Sequence, residues 1–280
     1  MFEAHVFQAG IGFLFGLLIG SFLNVCIYRW PRDLSVVRPR SACPGCDAPI
    51  AWYDNIPVLS FILLRGRCRN CGATISYRYP LVELLTAVLF ACILWQVGFS
   101  LAAIKYCSLV GMLLALMFTD LEERILPDEF TLGGTLLGLA LSPFLRVSDI
   151  TAHAVLGGLF GIHFPERGMS VAESLFGAVI PAGSLWLGGW AFEKIRHKEG
   201  LGLGDVKMMA MVGAFLGVRG SLLTLIAGSL AGSVIGLIYI RVAKKDMGEY
   251  QLPFGTFLAG AAILAAMIGP KVIDWYSALI

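Results

Sequence analysis

Runs of apolar residues, each close to the length that crosses a lipid bilayer, constrain the fold of this chain more than any other feature. A transmembrane helix needs about 20 predominantly apolar residues. Of the 280 residues, 58% are apolar and only 14% are charged, which excludes an ordinary soluble domain. We therefore predict an all-α polytopic membrane protein with about eight transmembrane helices. The predicted spans are residues 9–28, 81–97, 99–118, 129–145, 173–192, 207–218, 220–240 and 253–270.

Small residues shape the spans in the C-terminal half. Span 207–218 is short and contains Gly213 and Gly217, so it fits a membrane only as a tilted or partly protein-buried helix. The next span carries a ridge of glycines at a spacing of four, which suits close packing against another helix. The ridge consists of Gly228, Gly232 and Gly236.

Residues 147–172 separate two predicted spans and allow two interpretations. Their apolar part, 152–164, is too short to cross a bilayer and contains His153 and His163. We interpret the segment as a non-cytosolic insert that is interfacial or re-entrant. A ninth span at this position is the alternative.

The distribution of positive charge predicts the orientation of the spans. Fifteen of the 21 Lys and Arg residues lie in four alternate loops, and loops rich in these residues stay in the cytosol. Both termini are then expected on the non-cytosolic side, and a ninth span would place Lys244 and Lys245 outside, against this bias. The four loops are 29–80, 119–128, 193–206 and 241–252.

Three regions follow from this arrangement: a first transmembrane helix at 1–28, a cytosolic loop at 29–80, and a transmembrane core at 81–280. No basic region precedes the first apolar run, so we expect this run to be retained as a span rather than cleaved. Membrane lipid is the expected surrounding medium. The net charge of +2 gives no reason to expect nucleic acid as a partner.

The 29–80 loop carries four cysteines in two close pairs. Cys43 and Cys46 form the first pair, Cys68 and Cys71 the second, and 21 residues separate the pairs. Two such pairs suit tetrahedral thiolate coordination of zinc, and Gly45 and Gly72 would help the chain turn beside the sulfurs. Two disulfides or free thiols are the alternative, which a reducing cytosol disfavours. Since four cysteines leave no open coordination position, the metal is expected to be structural.

Two aspartates stand at the predicted cytosolic boundary of the membrane. Asp120 ends the third span, and Asp205 follows a Gly-Leu-Gly-Leu-Gly run that begins at Gly200. Acidic residues at this depth are costly and tend to be functional. Two carboxylates held together share a proton, so one can act as a base toward water and the other as an acid toward a carbonyl oxygen. The alternatives are a helix N-cap for Asp205 and an exposed acid at a helix end for Asp120.

Other acidic residues have simpler interpretations. Asp128 follows Pro127 and precedes the fourth span, which favours a role as N-cap. Glu83 lies just inside the second span after Tyr79-Pro80 and fits either a helix-start acid or a polar site.

Ordered motifs along nearly the whole chain resemble the bacterial type IV prepilin peptidases, which are bifunctional leader peptidase/N-methyltransferases related to the GxGD aspartyl intramembrane proteases. One departure from the family pattern is Thr256, which stands where a proline is usual after Phe-Gly. The 147–172 insert is also longer than in many relatives. The motifs are Gly20–Arg29 with Pro31, the two cysteine pairs, Trp52–Pro57 with Leu59-Ser60, Gly66–Cys68, Tyr79–Glu83, Asp120-Leu121 with Leu126–Asp128, Gly202–Lys207 and Pro253–Gly255.

The resemblance implies a site and a substrate. Asp120 and Asp205 match the catalytic aspartates, and the four cysteines match the zinc-binding set. The implied substrate is a type IV prepilin or pseudopilin, cut after a glycine at the cytosolic face of the bacterial inner membrane. Methylation of the new N-terminus with S-adenosylmethionine is also implied, with Tyr79 and Glu83 as the candidate residues for that site.

Two other classes of protein compete with a peptidase. A multi-spanning transporter also places acids in broken, glycine-rich helices, although such acids usually sit near the middle of the membrane. A non-enzymatic scaffold with a zinc loop would not depend on Asp120. The depth of the two aspartates distinguishes the peptidase from the transporter, and substitution of Asp120 distinguishes it from the scaffold.

Overall fold

The computed structural model describes residues 2–147, 149–162, 164–197, 201–243 and 252–278. Within these residues the regular secondary structure is helical, with two isolated β-bridges in the cysteine loop, which confirms the predicted fold class. The chain divides into two compact units, Met1–Ala115 and Leu116–Ile280. Lys244, Lys245 and Gly200 lie outside the described residues.

The described part of the chain contains eight α-helices, with short 3₁₀ turns at Trp30–Arg32 and Trp52–Asn55 and a π-helical turn at His153–Leu159. The α-helices are α1 (Phe2–Arg29), α2 (Leu59–Leu63), α3 (Arg78–Val97), α4 (Leu101–Glu123), α5 (Asp128–Leu141), α6 (Glu166–Arg196), α7 (Leu203–Ala243) and α8 (Phe254–Ser277).

Among the described residues, five helices are long and apolar enough to cross a membrane, so the protein is multi-pass. This number is below the eight that hydropathy predicts. Predicted spans 207–218 and 220–240 fall on the two halves of α7, and α5 has only 14 residues. Helix α8 has 24 residues, and its described apolar part is Phe254–Gly269. The five helices are Phe2–Arg32, Arg78–Val97, Leu101–Glu123, Glu166–Arg196 and Leu203–Tyr239.

Helix α7 breaks at Gly217, where the sequence predicts an interruption. The backbone of Gly217 has φ 74° and ψ −175°, a conformation that essentially only glycine adopts. The Asp149 carboxylate fills the space beside it and accepts the Arg219 backbone N–H at 3.1 Å. Asp149 therefore caps the second half of α7, which behaves as a separate helix.

Helices α6 and α7 approach each other at a pair of glycines. A side chain at Gly177 would collide with the backbone of Gly213, and the reverse also holds. Beside this crossing, the Ser174 hydroxyl donates to the Ala214 carbonyl at 2.7 Å. Gly213 thus serves close packing rather than the predicted interruption, since Gly217 is the described residue of α7 whose backbone is not helical.

The predicted glycine ridge of α7 packs as expected. A Cβ on Gly228 would lie 2.8 Å from Leu258, and one on Gly236 would lie 2.5 Å from Leu252. Gly232 faces Phe257. The ridge therefore lies against the start of α8, where small residues let the two helices approach closely.

The insert between α5 and α6 forms a short turn of helix within its described residues, and no ninth span is seen there. Glu173 of α6 caps this turn, because its carboxylate accepts the backbone N–H groups of Ala152 at 2.9 Å and His153 at 3.0 Å. Residues 166–172 belong to α6 itself. His163, one of the two histidines that the sequence places here, lies outside the described residues.

In the N-terminal unit, α1 packs against α3 through a second glycine series that hydropathy does not reveal. A Cβ on Gly16 would lie 2.5 Å from Ala87 of α3, and one on Gly20 would lie 2.7 Å from Glu83. Glu83 is thereby held against α1, which matters for the polar cluster described below.

We expect Gly217→Ala to destabilise the protein, because alanine is strained at this φ and its Cβ would lie 2.5 Å from the Asp149 carboxylate. A non-glycine residue in this conformation costs about 1–3 kcal/mol, so the apparent melting temperature in detergent should fall by roughly 5 °C or more. Gly183→Ala in α6 is the control, since nothing lies within 4 Å of that site. Equal melting temperatures for the two variants would show that the break at Gly217 is not required.

Candidate functional site

Asp120 lies in the last turn of α4 and is only 6% exposed. Its Oδ2 accepts two hydrogen bonds from Thr256 in the first turn of α8, one from the backbone N–H at 2.6 Å and one from the hydroxyl at 2.9 Å. The same hydroxyl lies 3.2 Å from the Met117 carbonyl. Asp120 is therefore a buried, oriented carboxylate and not an exposed acid at a helix end.

Asp205 lies in the first turn of α7 and is 8% exposed. The helix begins at Leu203, so Asp205 is inside it. The Asp205 backbone N–H donates to the Gly202 carbonyl at 3.1 Å. Within the described residues its carboxylate accepts no hydrogen bond. The N-cap interpretation therefore lacks support, since an N-cap side chain accepts a backbone N–H of its own helix.

Gly255 brings the two carboxylates into one small space. A Cβ built on Gly255 would lie 3.1 Å from Oδ2 of Asp120 and 3.1 Å from Oδ1 of Asp205. The two oxygens are thus no further apart than twice that distance. A side chain at position 255 would press on both carboxylates, so glycine keeps the space beside them open.

The arrangement suits acid–base chemistry on a water molecule. Two carboxylates this close hold a single proton more readily than they both ionise. The ionised group can then take a proton from water while the protonated group donates to a carbonyl oxygen. The structure brings together the two aspartates that the sequence singles out, although 85 residues separate them.

An ion pair includes Lys207, two residues after Asp205 in the sequence. The Lys207 ammonium contacts both carboxylate oxygens of Asp128, at 2.8 and 2.9 Å, and so joins the start of α7 to the start of α5. The predicted N-cap role of Asp128 is wrong, because α5 begins at Asp128 itself and its cap position, Pro127, has no side-chain hydrogen bond. Both partners are partly exposed, so the pair contributes at most about 1 kcal/mol to stability.

The four loop cysteines converge on one point. All four Sγ atoms lie within 4.8 Å of one another, and those of Cys43 and Cys71 are 3.7 Å apart. Tetrahedral coordination with bonds of about 2.3 Å places sulfurs about 3.8 Å apart, whereas a disulfide needs about 2.05 Å. All four cysteines are free, so the cluster can hold a metal ion such as zinc.

The two cysteine pairs adopt the same backbone turn. The N–H of Cys43 donates to Ala48 at 3.0 Å, and the N–H of Cys68 donates to Ala73 at 2.8 Å. The residue that takes positive φ is Asp47 in the first turn and Gly72 in the second. Gly72 thus has its predicted role in turning the chain. Gly45 instead permits close approach, since a Cβ there would lie 3.2 Å from Ala73.

The loop favours thiolate at one of its cysteines. Backbone N–H groups of Cys71 and Asn70 donate to the Cys68 sulfur, which lowers the pKa of Cys68 to about 7. Metals bind the thiolate form, so this hydrogen bonding prepares a ligand near neutral pH.

The N-terminal unit contains a second polar cluster, where α1 and α3 meet the loop. Glu83 is buried, and its Oε2 accepts the Val58 backbone N–H at 2.7 Å. The Asn24 side-chain amide donates to the Tyr79 carbonyl at 3.0 Å. Among the described residues, the Asn24 Oδ1 is buried and has no hydrogen-bond partner.

The sequence does not reveal all of these contacts. It predicts the two aspartates, the cysteines, Tyr79 and Glu83, but it gives no role to Asn24 or to Thr256. A signal for Thr256 exists in its departure from the usual proline. Asn24 belongs to a motif of the first span, yet its partner is 55 residues away and cannot be read from spacing.

The fold and the carboxylate pair define a polytopic membrane protein with two buried aspartates at one site. Two family models match the chain, the bacterial peptidase A24 N-terminal domain over residues 14–97 and the type IV leader peptidase family over residues 107–237. The chain belongs to the type IV leader peptidase family, which confirms the resemblance seen in its motifs.

Curated relatives carry the name prepilin leader peptidase/N-methyltransferase. The protein from Pseudomonas aeruginosa is 35% identical and the one from Aeromonas hydrophila 36% identical, each over 94% of this chain and over 91% and 92% of its own length. The Myxococcus xanthus protein is 41% identical over 83% of this chain and 63% of its own length. No solved structure matches the chain.

We expect the protein to lose its metal on acidification, because protons compete for the thiolates and Cys68 has a pKa of about 7. Metal content measured by mass spectrometry should be full after dialysis at about pH 7.5 and low after dialysis at about pH 5. Cys43→Ser should lower metal content at both pH values, with Cys92→Ser, an exposed cysteine of α3, as the control. Full metal content in Cys43→Ser would rule out four-cysteine coordination.

Proposed function

We propose that this protein is a membrane aspartyl endopeptidase that removes the leader peptide of type IV prepilins or pseudopilins at the cytosolic face of the inner membrane. The observation that carries the proposal is the pair of buried carboxylates, Asp120 and Asp205, with oxygens 3.1 Å from one point beside Gly255. Membership of the type IV leader peptidase family and the names of the relatives supply the substrate class.

Hydrolysis requires one water between the two carboxylates. The ionised aspartate removes a proton from this water, whose oxygen attacks the scissile carbonyl carbon. The protonated aspartate donates its proton to the carbonyl oxygen. Collapse of the tetrahedral intermediate breaks the C–N bond, and the departing amine takes up a proton from the pair.

The positions of the acids agree with a cut at the membrane boundary. Asp120 lies three residues before the end of α4, and Asp205 lies two residues after the start of α7. A prepilin with its basic leader in the cytosol and its apolar segment in lipid would present the cleavage site at this depth. A transporter, whose acids lie near mid-membrane, is not favoured by these positions or by the family.

We expect Asp120→Ala and Asp205→Ala each to lower leader cleavage by at least about 100-fold, since either loss removes one partner of the proton exchange. The assay is reconstituted protein with a pilin precursor, read by mass spectrometry. Glu129→Gln, an exposed acid at the start of α5, should keep full activity, and metal content should stay normal in all three variants. Full cleavage by either alanine variant would show that the activity does not depend on the carboxylate pair.

The 29–80 loop is proposed to be a cytosolic zinc module with a structural role. Four thiolates satisfy tetrahedral zinc and leave no position for water. The loop has little core of its own, because only Cys43 and Ser60 are buried between residues 29 and 80. The zinc ion would therefore supply the cross-link that holds the loop folded.

Methylation of the new N-terminus is proposed for the cluster of Tyr79, Glu83 and Asn24. The cluster offers acceptors, namely the Glu83 carboxylate and the unpartnered Asn24 Oδ1, which suit a cationic group. S-adenosylmethionine, when bound, supplies an electrophilic methyl group on a positively charged sulfur. The Glu83 carboxylate would lie near the positively charged sulfur of the donor. Asn24, whose amide donates to the Tyr79 carbonyl, would orient the donor.

We expect Glu83→Gln to lower N-methylation strongly while leaving leader cleavage intact. Glutamine keeps an oxygen for the Val58 N–H and removes only the charge, so the loop contact survives. Mass spectrometry of the mature pilin measures both activities, and calorimetry measures S-adenosylmethionine binding directly. Ser100→Ala, at the start of α4, is the control. Unchanged methylation and unchanged binding in Glu83→Gln would place the donor site elsewhere.

The topology proposed from charge puts both termini on the non-cytosolic side, with 1–28 as the first span and 81–280 as the catalytic core. Lipid surrounds the spans, and exposed apolar side chains on them, such as Phe15 and Leu18 of α1, fit that contact. Nucleic acid is not a proposed partner.

A further inference from the structure

We propose that Thr256 assigns the roles within the carboxylate pair, so that Asp120 carries the negative charge and acts on water while Asp205 carries the proton. This inference rests on the proposed peptidase function and deepens it. Thr256 is a positioning residue, because it contacts Asp120 and not the reacting atoms.

The first observation is the number of donors on one oxygen. The backbone N–H and the hydroxyl of Thr256 both point to Oδ2 of Asp120, at 2.6 and 2.9 Å. Hydrogen bonds to an ionised carboxylate are stronger than bonds to its neutral form. Two donors on one oxygen therefore favour the ionised form of Asp120 over the protonated form.

The second observation is the location of Thr256 in the first turn of α8, whose helix starts at Phe254. The N–H groups of a first turn have no partner within their helix, and the positive end of the helix dipole lies there. The Asp120 carboxylate accepts one of these N–H groups, that of Thr256. The stabilisation of the Asp120 charge thus comes from the backbone of α8 as well as from a side chain.

Asp205 has the opposite surroundings. Its carboxylate is buried, and it accepts no hydrogen bond among the described residues. The negative charge of Asp120 acts on Asp205 and opposes a second negative charge there. A single proton shared by the pair is therefore placed on Asp205.

The charged groups around the pair support the same assignment. On α4, the charge of Arg124 acts on Asp120 and favours its ionised form, and Glu122 and Glu123 are exposed beyond it. On α7, Lys207 is engaged with Asp128 of α5. The first turn of α8, Phe254 to Phe257, contains no ionisable residue.

The assignment fixes the path of each proton. The Asp120 carboxylate, held through Oδ2 by Thr256, accepts the proton from water. Asp205 gives its proton to the carbonyl oxygen of the scissile bond. After the C–N bond breaks, the proton held by Asp120 passes to the amine and the carboxyl product returns a proton to Asp205, which restores the starting state.

Three variants of Thr256 and one control test the inference through the pH dependence of leader cleavage. Thr256→Val removes the hydroxyl and keeps the N–H, and Thr256→Ser keeps both donors. Thr256→Pro removes both, and proline is tolerated in a first helical turn. Thr135→Val in α5, which removes a hydroxyl bonded only to the Thr131 carbonyl, is the control.

We expect the acid limb of the pH–rate profile to move to higher pH by about one unit in Thr256→Val and by more in Thr256→Pro. Fewer donors make the ionised form of Asp120 harder to reach, so activity is lost at a higher pH as the solution is acidified. Thr256→Ser and Thr135→Val should keep the wild-type profile, and KM for the precursor should change little in all four variants.

An unchanged acid limb in Thr256→Val, with activity lowered equally at every pH, would overturn the assignment and leave Thr256 a purely structural role. This comparison does not depend on Thr256→Pro, which tests the backbone donor only if it folds. Failure of the wild-type protein to cleave any precursor would contradict the proposed function itself. Cleavage by the wild type with no shift in Thr256→Val would contradict only the role of Thr256.

Discussion

The confinement of two carboxylates in a buried space is the constraint on which the C-terminal unit depends. Removing even one ionised carboxylate from water is costly, so a second beside it is tolerated only when a proton is shared and donors stabilise the remaining charge. The protein meets these requirements with three elements. Helices α4 and α7 supply the acids, and the start of α8 supplies donors and the Gly255 gap between them.

Close helix packing keeps these elements in place. The crossing at Gly177 and Gly213 holds α6 against α7, and the ridge from Gly228 to Gly236 holds α7 against the start of α8. The break at Gly217, capped by Asp149, separates the half of α7 that carries Asp205 from the half that packs on α8. The insert contains Asp149 and therefore stabilises the break in α7. Its unusual length alone does not indicate this role.

The sequence predicts the helical membrane fold, the cysteine cluster and the convergence of Asp120 with Asp205, because apolar run length, cysteine spacing and charge bias are local signals. Hydropathy predicts eight spans, whereas five helices of the described residues are long and apolar enough to cross a membrane, and spans 207–218 and 220–240 fall on the two halves of one helix broken at Gly217. The Thr256 contact with Asp120 bridges 136 residues, and the Lys207 pair with Asp128 bridges 79. Contacts of this kind depend on helix packing, which a single sequence does not encode in any local pattern.

Cross-linking of paired cysteines at positions 120 and 205, in membranes, tests the central claim most directly. The shortest bifunctional thiol reagents should join Asp120→Cys to Asp205→Cys, and peptide mass spectrometry should identify the product. Asp128→Cys with Lys207→Cys, whose native side chains form an ion pair, is the positive control with a reagent long enough to replace the lysine side chain. A cross-link at the control pair without one between positions 120 and 205 would show that the two acids do not share a site.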